Sequence, residues 1–221
     1  MTGSAPVAAA ALAGVPAGVQ AQGVWSGRRQ LFVRFAGEAE TATMYTSTAL
    51  VREMERQLGR SKFHSISIGG RDPLANVPFL LAALTAAKPA IPVMLDTDGQ
   101  RPAALRELAA HLTLVQVTID FTGPDASVTH AMSTIQEAAG ADRRHALVLC
   151  PKDDTADAQM LRIVEQANAA SQRVEIVIHP MIPSGDNAIL DRRWSTLLEH
   201  AVATHLDTRL IVRVPLPTGL R

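Results

Sequence analysis

The sequence predicts an α/β protein built on a largely parallel sheet. Apolar, β-prone runs alternate with helical patterns along nearly the whole chain, which implies parallel strands joined by right-handed crossovers. The strand runs are almost continuously apolar, as expected where both faces of a sheet are covered. Polar residues gather just after those runs, at Glu38, Asp72, Asp96, Asp98, Asp120 and Lys152. In parallel α/β folds the carboxyl ends of the strands carry the site. A doubly wound open sheet and a barrel are equally compatible with this periodicity.

Residues 1–17 are rich in Ala, Gly and Pro and read as a flexible N-terminal segment ahead of one domain spanning 18–221. The first strand is Leu31 to Ala36, β-prone and interrupted only by Arg34. Thr48 to Gly59 reads as a helix with Leu50, Met54 and Leu58 on one face. Phe63 to Ile68 is a strand ending in Gly69-Gly70, and Asn76 to Ala87 a helix broken by Lys88-Pro89. Ile91 to Leu95 is a strand, and Pro102 opens a helix to about Ala110, proline being favoured in a first turn. Strands follow at Leu112 to Ile119, His145 to Leu149, Val174 to Ile178 and Leu210 to Val214. Helices run over Ala126 to Ala139, Asp157 to Ala170 and Asn187 to Thr204. No second domain, linker or repeat is visible.

Composition narrows the function. The chain has 221 residues, of which 47% are hydrophobic, enough for a full core. Its 21 basic and 21 acidic residues cancel, so no overall field draws it to nucleic acid or to a membrane surface. Aromatics are only 4%, which argues against a base-stacking surface. The lone cysteine, Cys150, cannot form an internal disulfide or supply the thiolates of a cluster. It reads as a buried thiol at a strand end. The opening lacks the basic start and long apolar core of a secretory signal, and no run suits a membrane helix. A cytoplasmic protein acting on a small molecule is expected.

A resemblance sharpens that picture. Gly18-Val19-Gln20-Ala21-Gln22-Gly23, then Gly27-Arg28, then Phe32-Val33-Arg34-Phe35-Ala36-Gly37, resemble the opening of radical S-adenosylmethionine proteins of the 7-carboxy-7-deazaguanine synthase type. The three cluster cysteines of that family fall on Glu38, Ala42 and Tyr45, and its Asp-Thr pair on Thr46-Ser47. Gly70-Arg71-Asp72-Pro73-Leu74 resembles the turn that contacts the methionyl amino group. Asp96-Thr97-Asp98-Gly99 resembles the turn ending the third strand, and the DFTGPD stretch from Asp120 a loop of related activating enzymes. The resemblance implies a partial, open parallel barrel with helices outside, with the iron–sulfur cluster lost.

It also implies a site. Gly70, Asp72, Asp96, Thr97, Asp98 and Asp120 would hold S-adenosylmethionine or a related nucleoside. Gln20, Gln22 and Arg28 would line the substrate end, where amides and a guanidinium can hold a heterocycle edge or a carboxylate. Glu38 and Tyr45 would fill the volume of the missing cluster as base or charge stabiliser. No histidine spacing suggests a metal site, and no Walker loop or dinucleotide fingerprint is present. Without a cluster the chain has no source of the electron that cleaves the sulfonium. Two readings follow. One is polar chemistry at the sulfonium, such as alkyl transfer or elimination in a biosynthetic step. The other is a non-catalytic homologue that forms a homodimer, partners an active enzyme or binds a metabolite or peptide.

Overall fold

The computed structural model describes residues 8–121, 126–180 and 192–211. In chain order the elements are β1 (Ala9–Gly14), β2 (Ala17–Val19), β3 (Arg29–Phe35), β4 (Thr43–Thr46), α1 (Ser47–Arg60) and β5 (Ser65–Gly70). A 3-10 turn over Pro73–Asn76 leads into α2 (Val77–Ala87), then β6 (Val93–Thr97), α3 (Pro102–Leu108), β7 (Leu114–Ile119), α4 (Ala126–Gly140) and β8 (Arg144–Leu149). The described chain ends with α5 (Asp157–Ala170), β9 (Glu175–Ile178), α6 (Arg192–Thr204) and β10 (Thr208–Leu210). The expected helix start at Asn187 and the strand beyond Ile211 lie outside the described residues.

The strands form one sheet in the order β10-β9-β8-β7-β6-β5-β3-β1-β4, with β2 paired to β3 off that path. From β3 through β10 every neighbouring pair along the path is parallel. Spatial order follows chain order without the reversal that marks a doubly wound sheet. Right-handed crossovers therefore put all the helices on one face. The sheet has two free ends among the described residues, so the protein is an open, partial β/α barrel with a mostly parallel sheet.

Strand alternation sorts the two faces. Leu31, Val33, Ile66, Ile68, Leu95, Val117, Leu147 and Ile176 join one continuous core with Leu50, Met54, Phe79, Leu80, Ile135, Val164 and Trp194 of the helices. Helix α1 starts cleanly because the Thr46 side chain accepts a hydrogen bond from the Ala49 N–H at 3.1 Å. The opposite, concave face presents Gln30, Ser65, Ser67, Met94, Asp96, Gln116, Thr118 and Val148. Among the described residues no second helix layer covers it. Part of it is covered by the connection between β2 and β3, whose Val24 and Trp25 pack on Met94, Leu114 and Ala146. Trp25 also meets the His64 ring edge-on at 4.9 Å.

The flexible lead-in expected over residues 1–17 is corrected for its second half. β1 lies between β3 and β4, antiparallel to both, with Leu12 and Ala10 buried. Its alanines carry no β preference of their own. Ladder hydrogen bonds on both sides and the burial of Leu12 hold it extended, and such tertiary context routinely overrides intrinsic preference. β4 comes from the stretch read as site loop, and forms the sheet edge with Met44 two-thirds exposed, at 67%.

Candidate functional site at the mouth of the half-barrel

The carboxyl ends of β6, β7 and β8 meet around Asp96. Leu95 packs in the helix-side core, so alternation turns Asp96 to the concave face. Thr118, on β7, donates its hydroxyl to Asp96 Oδ1 at 2.9 Å. Burial holds the Asp96 carboxyl above the usual carboxylate range, and the Thr118 and Gln116 side chains pull it back only in part. Among the described residues no lysine or arginine forms an ion pair with it.

Gln116 lies one step lower on β7, opposite Asp96 in the ladder, and is fully buried. Its Oε1 accepts the Val24 N–H at 3.1 Å. That bond fixes the amide orientation, since only the oxygen can face a backbone donor. Nε2 is left buried without a hydrogen-bond partner of normal geometry. Cys150, just past β8, completes the group. Its thiol is pushed up to about 12, chiefly by burial, with Asp96 and Asp120 adding to the effect. Its Sγ–H points to Gln22 Oε1 at 3.9 Å. This thiol is no nucleophile at neutral pH.

The residues expected from sequence divide. Asp96, Asp120 and Gln22 come together at this mouth. Asp120 is exposed at the end of β7, and the rest of its DFTGPD stretch beyond Phe121 lies outside the described residues. Arg28 does not join them. It precedes β3, at the amino end of the parallel strands, near His64, whose pKa it helps lower. Gln20 is buried in its own loop, where Oε1 accepts the Ala21 N–H and the backbone bonds to Arg28 and Gly27.

The other positions serve the fold or the surface. Gly70, at φ +93, lies on the backbone of Phe35, where an added Cβ would fall 2.3 Å from the carbonyl oxygen. Its freedom closes β5 onto β3. Asp72 is held by Arg101 Nε at 2.7 and 3.0 Å. Thr97 accepts the Gly99 N–H at 3.2 Å and Asp98 the Gln100 N–H at 3.1 Å, so this is a self-bonded turn. Glu38 is exposed and paired with Arg71 at 2.6 Å. Tyr45 packs on the helix-side core from β4, on the face away from Asp96. Glu38 and Tyr45 therefore do not share a pocket floor with Asp96. Among the described residues no group of three His, Cys, Asp or Glu side chains is placed to hold a metal.

Sequence reasoning missed Gln116 and Thr118. The available signal was two polar residues at i and i+2 inside the apolar run LVQVTI, which puts them on one face.

Comparison with known proteins corrects the family expectation. No family model matches the chain, and no curated protein matches it. A similar solved structure is dihydropteroate synthase of Xanthomonas albilineans, crystallised with 4-aminobenzoic acid. The two are 18% identical with a TM-score of 0.44, over 75% of this chain and 64% of that one. The chain thus spans less than two thirds of that relative's length. Neither a sequence match nor the structural neighbour supports a radical S-adenosylmethionine assignment, and it is withdrawn. The residues that suggested it are those now explained by packing: Gly70 on Phe35, the bonded turn after Asp96, and the loop acids on neighbouring arginines.

Proposed function

We propose that the protein binds a small metabolite at the carboxyl mouth of the half-barrel, with Asp96 as the group that recognises it. One observation carries this reading: a half-buried carboxyl whose pKa burial raises, met by the Thr118 hydroxyl and the Gln116 amide and by no cationic partner among the described residues. A ligand cation or strong hydrogen-bond donor completes that environment at low cost. Its raised pKa makes it a stronger base than an ordinary carboxylate, so proton transfer or another polar step is the chemistry this site favours. A nucleoside-type sulfonium such as S-adenosylmethionine is the first candidate. The test is thermal unfolding with S-adenosylmethionine, its demethylated product and 7-deazapurines. Ligand at 100 times its dissociation constant adds about 2.7 kcal/mol, and Asp96→Asn removes the shift. No shift with any of them counts against the reading.

A non-catalytic partner role is the second reading, favoured by the edge of β4, unpaired among the described residues, and by its exposed Met44. Light scattering that reports a monomer, with no complex formed on mixing with candidate enzymes, counts against it.

A further inference from the structure

Next to Asp96 the concave face has bare backbone, at Gly69. Parallel register sets Arg34 of β3 beside Gly69 of β5. Gly69 in turn lies against Asp96 of β6, where an added Cβ would meet the Asp96 Cβ at 3.4 Å. All three share one face, because Val33, Phe35, Ile68 and Leu95 around them are buried in the helix-side core. A guanidinium and a carboxyl therefore stand on strands two spacings apart, about 9.6 Å, and the strand between them carries no side chain at that level.

Each charge is incompletely used. Arg34 is about half exposed, at 49%, and its Nη2 is held by Glu40 at 2.6 Å. Glu40 belongs to the loop after β3, and its second oxygen accepts the Gly37 N–H at 3.0 Å. A loop carboxylate thus sits where an incoming anion would bind Arg34. Among the described residues Asp96 receives the Thr118 hydroxyl at 2.9 Å, with the Gln116 amide beside it and no cation.

We propose that this row binds a zwitterionic aminocarboxylate, such as the amino-acid part of a larger metabolite. The ammonium sits on Asp96, the α-carbon lies over Gly69, and the carboxylate takes Arg34 in exchange for Glu40. The proposal rests on the mouth being a ligand site and adds the ligand's chemical class. An arginine side chain is long and an aspartate short, so one amino acid bridges what remains of the span. Bidentate capture of a carboxylate is what a guanidinium does best. Gly69 matters because any side chain there would occupy the path.

The test is calorimetric titration of the full chain with three probes. S-adenosylmethionine and L-methionine carry the aminocarboxylate, and 5′-methylthioadenosine carries the same nucleoside without it. Arg34→Gln should weaken the first two at least tenfold and leave the third unchanged. Glu40→Gln should tighten the first two severalfold by removing the internal competitor, a gain that a structural role for the pair would not give. Gly69→Ala adds a methyl at ordinary contact distance, so it should keep the fold and weaken the first two severalfold. Binding of 5′-methylthioadenosine with neither Arg34→Gln nor Glu40→Gln changing the other affinities overturns the proposal and leaves the mouth as a site. Absence of binding by all three probes overturns the proposal, and with no shift from the wider thermal panel it removes the reading beneath it.

Discussion

Replacing Gly23 by Ala should cost far more than the same change at Gly27, four residues on. Both glycines lie in the connection that covers the concave face, and both have left-handed backbone, φ +78 and +79. Moving a non-glycine residue into that conformation costs about 1–2 kcal/mol. At Gly27 nothing lies within 4 Å of an added Cβ, so this cost stands alone. At Gly23 the new Cβ would fall 1.9 Å from Gln116 Oε1 and 2.5 Å from its Cδ. Gln116 is fully buried and cannot swing into solvent. Its amide must turn away, and the Val24 N–H loses its acceptor, which adds about 1–3 kcal/mol for an unsatisfied buried group. The expected totals are about 1–2 kcal/mol for Gly27→Ala and about 2–5 kcal/mol for Gly23→Ala. At this chain length each kcal/mol moves the melting temperature by about 2–4 °C. Calorimetric unfolding of the two variants beside the parent protein reads the difference, in which the backbone term cancels. Equal losses would refute the claim that this connection is seated on Gln116, and with it the account of how the concave face is covered.

Asp96→Asn should raise stability at neutral pH while abolishing ligand binding. The folded pKa of Asp96 lies above the unfolded value, so the parent loses stability as pH rises from about 4 through the folded pKa. Urea denaturation across pH 4–8 should show that slope in the parent and a flatter one in the variant; matching slopes would place the charge in water. His145 is buried, with its pKa lowered chiefly by burial, and its ring bonds to the Arg143 carbonyl and the Ser171 hydroxyl, both at 2.7 Å. It stays neutral when folded, so its contribution is lost as pH falls below about 6.5, where the unfolded imidazole takes a proton. His145→Gln should flatten the acid limb between pH 6.5 and 5, and an unchanged limb would refute this. Cys150 should resist iodoacetamide at pH 8 in the native protein and react in urea, as mass spectrometry would show, since its thiol is pushed up to about 12. Thr46→Ala removes the cap of α1 and should cost about 1 kcal/mol by denaturant titration.

Apart from β4, which comes from the stretch read as site loop, the order of strands and helices from β3 onward was legible in the sequence, because apolar runs and amphipathic spacing report burial directly. Leu50 and Met54 of α1, and the runs around Ile66, Val115 and Leu147, lie in the core as their pattern implies. So was Asp96 at a strand end. β1 was not legible. Its alanines have no pattern, and it is extended only because β3 and β4 supply hydrogen bonds from either side. Gln116 and Thr118 read as interruptions until the register of β6 and β7 brought them to one carboxyl.

The motif-like turns show where local reading stops. Gly70 and the turn over Thr97–Gly99 have compositions that serve a ligand or a fold equally well. Distances to Phe35 and the hydrogen bonds inside the turn decide for the fold. Sequence alone determined which residues are apolar and at what period, and so that strands and helices alternate around one core. The tertiary structure decided that the sheet stays open and which polar side chains share a face. It also showed that the β2–β3 connection covers part of that face. Burial periodicity is a property of neighbours along the chain, whereas strand register and the packing of a loop on a distant sheet join residues about a hundred positions apart, as Val24 and Gln116 do.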